Sequence, residues 1–166
     1  LFGDGTNGGD PLVLPMVFFD YCTATWDDVE VVFSVDFNNT AWENVRPTDG
    51  VSVSGTPNAA DPVTFDWSVP SLNTLADDGV APDLVAGDKI YTVSVMFPAG
   101  STPNVEYKFL FNDVYECPSQ SNRGFSIDPA NFDASGNPQI LAVDKFQVCN
   151  ISGVPELRTA GLSLSQ

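Results

Sequence analysis

Apolar residues alternate with polar ones over short stretches of this chain, and clusters of turn-forming residues separate the stretches. The clearest case is VEVVFSVDF, where Val29, Val31, Phe33, Val35 and Phe37 share one face. Glu30, Ser34 and Asp36 occupy the other, which predicts a strand with one face in a core and one in water. Further strands are predicted at 50–55, 63–67, 90–97, 105–111, 125–127 and 140–146. Between them RPTDG, TPNAADP, ADDGVAPDLVAGD and PAGSTPN supply the Gly, Pro, Asn and Asp of tight reversals. No stretch carries a convincing helical period. The pattern predicts an all-β, immunoglobulin-like antiparallel β-sandwich of about seven to eight strands with N- and C-terminal extensions.

A length of 166 residues suits one domain with a core of its own. The Gly- and Asp-rich start reads as an arm, giving 1–26 as an arm or inter-module joint, 27–148 as the sandwich, and 149–166 as a tail or joint to a neighbour. The opening LFGDGTNGGD lacks the basic and apolar regions of a signal peptide, so an exported protein is expected here in processed form or as a fragment. PLVLPMVFFDYC, ending at Cys22, echoes PQILAVDKFQVC, ending at Cys149. Two readings stand: a coincidence between apolar edge strands, or the same joint at either end of a module in a tandem array.

Charge narrows the partners. With 22 acidic residues against 6 basic ones the net charge is −16, which repels phosphate backbones and anionic lipid surfaces. Nucleic-acid binding and membrane insertion are therefore not expected. Histidine is absent, which removes the usual general base and the Ser-His and Cys-His nucleophile pairs. A hydrolase would have to run on carboxylates alone, and no catalytic residue is assigned.

Asp77, Asp78, Asp83 and Asp88 fall within twelve residues, with Gly79 and Gly87 letting the loop bend. They read either as a calcium loop, the one candidate cofactor site, or as a solvated turn whose carboxylates cap their own backbone. Cys22, Cys117 and Cys149 form no CxxC, so one disulfide and an odd thiol are expected. Asn38 and Asn150 head sequons that would accept glycans in a eukaryotic secretory pathway. Low Lys content and spaced cysteines point to a secreted, extracellular or cell-surface setting.

YKF at 107–109, YE at 115–116 and NR at 122–123 follow one another in a pattern that resembles the "YKF…WE…NR" of starch-binding domains, carbohydrate-binding module family 20, and of related modules in bacterial surface proteins. The stretch DDGVAPDLVAGDKIYTVSVMFPAGSTPNVEYKF resembles the acidic loop, strand, "PAG" turn and next strand of the same modules. The resemblance covers roughly residues 27–148. It implies a non-catalytic sandwich in which aromatic faces stack on glucose rings while polar groups bond the hydroxyls. Carried over by position, it implies Tyr115 in place of a tryptophan, Trp67 as the other aromatic, and Lys108, Glu116 and Asn122 beside them. The partner would be a polysaccharide or glycan of starch or glucan type. The alternative is a structural subunit or spacer of an extracellular assembly or filament, its partners being identical neighbouring subunits or tandem modules.

Overall fold

The structure is a computed structural model and describes residues 25, 27–47, 50–58, 64–128 and 136–149. Cys22, Trp26 and Asn150 lie outside the described residues, as do most of the predicted arm and tail. Among the described residues there are nine strands and no helix: β1 (Val29–Asp36), β2 (Val51–Gly55), β3 (Asn73–Leu75), β4 (Ile90–Phe97), β5 (Asn104–Phe111), β6 (Val114–Tyr115), β7 (Arg123–Ser126), β8 (Gln139–Ile140) and β9 (Asp144–Lys145).

The strands form two sheets. In the first, β1 pairs antiparallel with β4 along one edge, and along the other it pairs with β8 at Val31–Val32 and β9 at Val35–Asp36. In the second the order is β3-β2-β5-β6, and β7 pairs β5 over Asn104–Tyr107. A single bridge between Ala76 and Thr92 links the end of β3 to β4, where the chain passes from one sheet to the other. The fold is an all-β sandwich.

The inward faces follow the alternation. Val29, Val31, Phe33, Val35 and Phe37 from β1 and its end meet Val105, Tyr107, Phe109 and Phe111 from β5, all buried. Phe33 stacks on Phe65 at 5.7 Å and takes Tyr107 edge-on at 5.2 Å. At the other end Phe37 stacks on Phe146 at 4.4 Å, and Trp42 covers Phe111 at 5.0 Å. Each such ring removed from water stabilises the fold by about 1.5–3 kcal/mol.

Three expectations need correction. The outer face of β1 is not simply wet: Val32 and Ser34 are buried between flanking strands, and Thr92 Oγ1 hydrogen-bonds Ser34 Oγ. The strand expected at 63–67 is absent over the described 64–67, which make a turn that drops Phe65 into the core. The strand expected at 140–146 is two short ladders broken at 141–143, and both run parallel to β1, not antiparallel. In the last two the apolar period reported burial correctly, but burial came from a single ring, Phe65 or Phe146, and not from a continuous strand.

Truncating the central ring should leave a cavity that the two sheets cannot close. Phe33→Ala is expected to cost about 3–5 kcal/mol, read as a shifted urea midpoint at unchanged slope.

Candidate functional site

Four of the five residues carried over by resemblance meet on the outer face of the second sheet. Trp67, Lys108, Tyr115 and Asn122, with Pro118, line an open pocket of about 350 Å³. Alternation along β5 sends Tyr107 and Phe109 inward and Lys108 outward. After Phe111 the chain reverses through Asn112 and Asp113, both at positive φ (49° and 58°), as a two-residue hairpin turn requires. The register then sets Tyr115 opposite Leu110, on the same outer face as Lys108.

Trp67 arrives on a loop sewn to β2. The Gly55 N–H donates to the Asp66 carbonyl, and Ser54 Oγ donates to the Ser68 carbonyl. Gly55 itself cannot carry a side chain, because a Cβ there would sit 2.3 Å from the Glu106 carbonyl oxygen and from the Phe65 ring. The Tyr115 hydroxyl donates to the Trp67 carbonyl at 2.6 Å, and the two rings lie 6.1 Å apart with their planes at 64°. Burial raises the Tyr115 phenol pKa, so it stays a neutral donor at physiological pH.

Lys108 lines this pocket yet is 6 % exposed, and its ammonium donates to the carbonyls of Cys117 and Gln120 at 2.9 Å each. It shapes the 117–120 loop from beneath. Asn122 is exposed, with Nδ2 donating to Glu106 Oε2.

Glu116, the fifth carried-over residue, does not face the pocket. Its carboxylate is fully buried and accepts from Arg123 Nε at 2.7 Å, Arg123 Nη2 at 2.9 Å, and the N–H groups of Phe109 and Gln147. Arg123 also donates to Asp144 and to the Lys145 carbonyl, and its guanidinium lies over the Phe109 ring. The Tyr107 hydroxyl donates to the second Asp144 oxygen at 2.6 Å. Burial works against the Arg123 cation, but the bonds to Glu116 and Asp144 outweigh it and raise its pKa. Burial also pushes the Asp144 carboxyl above its ordinary range, against the pull of Tyr107 and Arg123. Sequence reasoning missed this network because Tyr107 and Asp144 lie far apart in the chain; only the YE and NR pairs hinted at it.

Cys117 bonds Cys149. The disulfide secures the loop under the pocket to the end of the closing segment, and so joins the first residue of the predicted tail to the module. A larger groove, about 850 Å³, opens on the far side of Asn122 between β7 and residues 141–144. Its floor is the Tyr107–Asp144–Arg123 network, already paired; Tyr107 and Phe125 also form an edge-on ring pair there, at 5.9 Å, but Tyr107 is buried and both rings pack on Phe33 in the core.

No family model and no curated protein matches the sequence. Among solved structures, the chain is similar to part of the Glycoside Hydrolase Family 15 Glucoamylase from Hypocrea jecorina. The TM-score is 0.44 at 22 % identity, with 75 % of this chain and 18 % of that one covered. The chain therefore spans less than a fifth of that protein's length.

In the acidic loop, Asp77, Asp83 and Asp88 converge to within 4.8 Å of one another, and Asp78 stands outside the group. Their oxygens are used locally. Asp77 accepts from the N–H groups of Gly87, Asp88 and Lys89, and Asp88 from Ile90. The Gly79 N–H holds the Asp83 carboxyl below its ordinary range. The turn reading rests on these bonds, and the calcium reading on the convergence of the three carboxylates. Both Asn38 Nδ2 hydrogens are likewise engaged, on Asp36 Oδ1 and the Asp88 carbonyl, and a glycan would have to displace one.

Glu116→Ala leaves the buried Arg123 cation only Asp144 and the Lys145 carbonyl and frees the Phe109 and Gln147 N–H groups, and is expected to cost about 3–5 kcal/mol in urea melts. A cost near that of exposed pairs, about 0–1 kcal/mol, would contradict the buried geometry. Chelation with EDTA should leave the melting temperature of the protein unchanged; a fall would assign a cation to the three aspartates.

Proposed function

We propose that this chain is a non-catalytic, extracellular carbohydrate-binding module of the starch or glucan type, akin to starch-binding domains. One observation supports it above the rest. Trp67 from the 66–68 loop, Tyr115 from β6 and Asn122 from the loop before β7 gather around one open pocket with two aromatic rings. An aromatic face takes the apolar face of a sugar ring, and the exposed Asn122 amide suits its hydroxyls. Neutral polymers are indifferent to the charge of −16.

The ring geometry favours a class of polymer. Rings inclined at 64° cannot both lie against a flat ribbon, whereas a chain that turns between successive sugars meets each face in succession. That selects a curved, helical glucan over a flat, extended one. An extracellular setting agrees with the Cys117–Cys149 disulfide, since such bonds persist in oxidising compartments. The second reading, a spacer in an extracellular assembly, is favoured by Lys108, whose ammonium is committed to loop carbonyls and not offered to a ligand.

Soluble starch in a native gel should retard the protein, and flat β-linked glucans should retard it less. Tyr115→Ala and Trp67→Ala should each weaken binding at least tenfold, about 1.4 kcal/mol, with unchanged melting cooperativity. Unaltered mobility of the wild type against a polysaccharide panel would leave only the spacer reading.

A further inference from the structure

Residues 136–149 close the module. Gly136 has a positive φ of 70°, and β8 starts just after Pro138. Leu141 packs against the core, Phe146 is buried against Phe37, and Cys149 bonds Cys117. The same five residue types recur in the same order and spacing at Gly9, Pro11, Leu14, Phe19 and Cys22. Val13 and Met16 likewise stand where the closing segment has Ile140 and Val143.

The differences are as informative as the identities. Asp144 and Lys145 bond groups particular to this module: Tyr107 and Arg123 for the first, Asp36 for the second. In the echo those two positions are Val17 and Phe18, which can make neither set of bonds. The echo thus keeps what any module of this fold needs at that edge and lacks what this one needs. It is also surplus here, because β1 already carries β8 and β9, and Cys117 is already bonded.

We infer that residues 9–22 are the closing segment of a second, non-identical module of this fold that precedes this one along the polypeptide. The joint between the two is short in sequence, and its described residues bond one turn of this module. Thr25 exchanges backbone hydrogen bonds with Gly100 and Ser101, its hydroxyl donates to the Pro98 carbonyl, and Asp28 accepts from the Ala99 N–H. Only Thr23 and Ala24 separate Cys22 from Thr25. Three residues at roughly 3.3–3.6 Å each span at most about 11 Å, and Thr25 is bonded to the Pro98–Ser101 turn, so that turn is the face this module turns toward the one before it.

Two measurements test this. Non-reducing peptide mapping of the protein isolated from its source should find Cys22 disulfide-bonded to a cysteine other than Cys117 and Cys149. Recovery of Cys22 as a free thiol beside an intact Cys117–Cys149 bond overturns the inference. In the full chain, Gln139→Leu, Ile140→Val, Ala142→Pro, Val143→Met, Gln147→Asp and Val148→Tyr together write the echo from Pro11 to Cys22 into residues 138–149 while keeping Asp144 and Lys145. This variant should retain the Cys117–Cys149 disulfide and a cooperative melt, and a control with the same six replacements shuffled among the six positions should lose both. If the ordered and shuffled variants behave alike, whether both fold or both fail, the two segments are not equivalent.

Discussion

The Glu116 carboxylate has no contact with solvent, and a charge in that position is tolerable only because four N–H groups close on it. Desolvating such an ion costs several kcal/mol, which only close and complete pairing can offset. The donors come from β5, from β7 and from the chain after β9, so satisfying one side chain fixes three segments relative to one another. Through Arg123 the same set reaches Asp144 and Tyr107, and so the opposite sheet. Hydrophobic burial brings the two sheets together, and this polar junction adds directional bonds between them.

That junction explains the pattern by which the sequence resembles starch-binding modules. Of YKF, YE and NR, Tyr107, Phe109, Glu116 and Arg123 are internal, and Lys108 braces a loop. Only Tyr115 and Asn122 look outward. The motif reports chiefly how the β5–β7 region is built. What that region presents to a ligand depends on residues free to vary, so the architecture and the ligand are separate questions.

Long strands were legible and short ladders were not. β1, β4 and β5 each alternate over eight residues, and their predicted bounds hold to within a residue or so. The parallel pairing of β8 and β9 left no comparable trace, because two-residue ladders are set by the distant β1 and not by local alternation. Trp67 shows the same limit. It could be read as a strand residue facing the core, but its place beside Tyr115 follows from hydrogen bonds between the 66–68 loop and β2 that no local period encodes. The Glu116–Arg123 pair shows a related limit: the polarity of YE and NR was plain, and the depth at which the pair sits was not.

The disulfide has a mechanical meaning. β8 and β9 hold the closing segment to β1 through two-residue ladders, the weakest kind of attachment against a pull along the strand. Tension entering at Cys149 does not have to be borne by them. It crosses the covalent bond to Cys117 and enters the hairpin of β5 and β6, where Lys108 anchors the loop carbonyls and Glu116 anchors the backbone. A pull on the closing segment therefore loads the β5–β6 hairpin instead of peeling β8 and β9 from the edge, and it reaches the very hairpin that carries Tyr115.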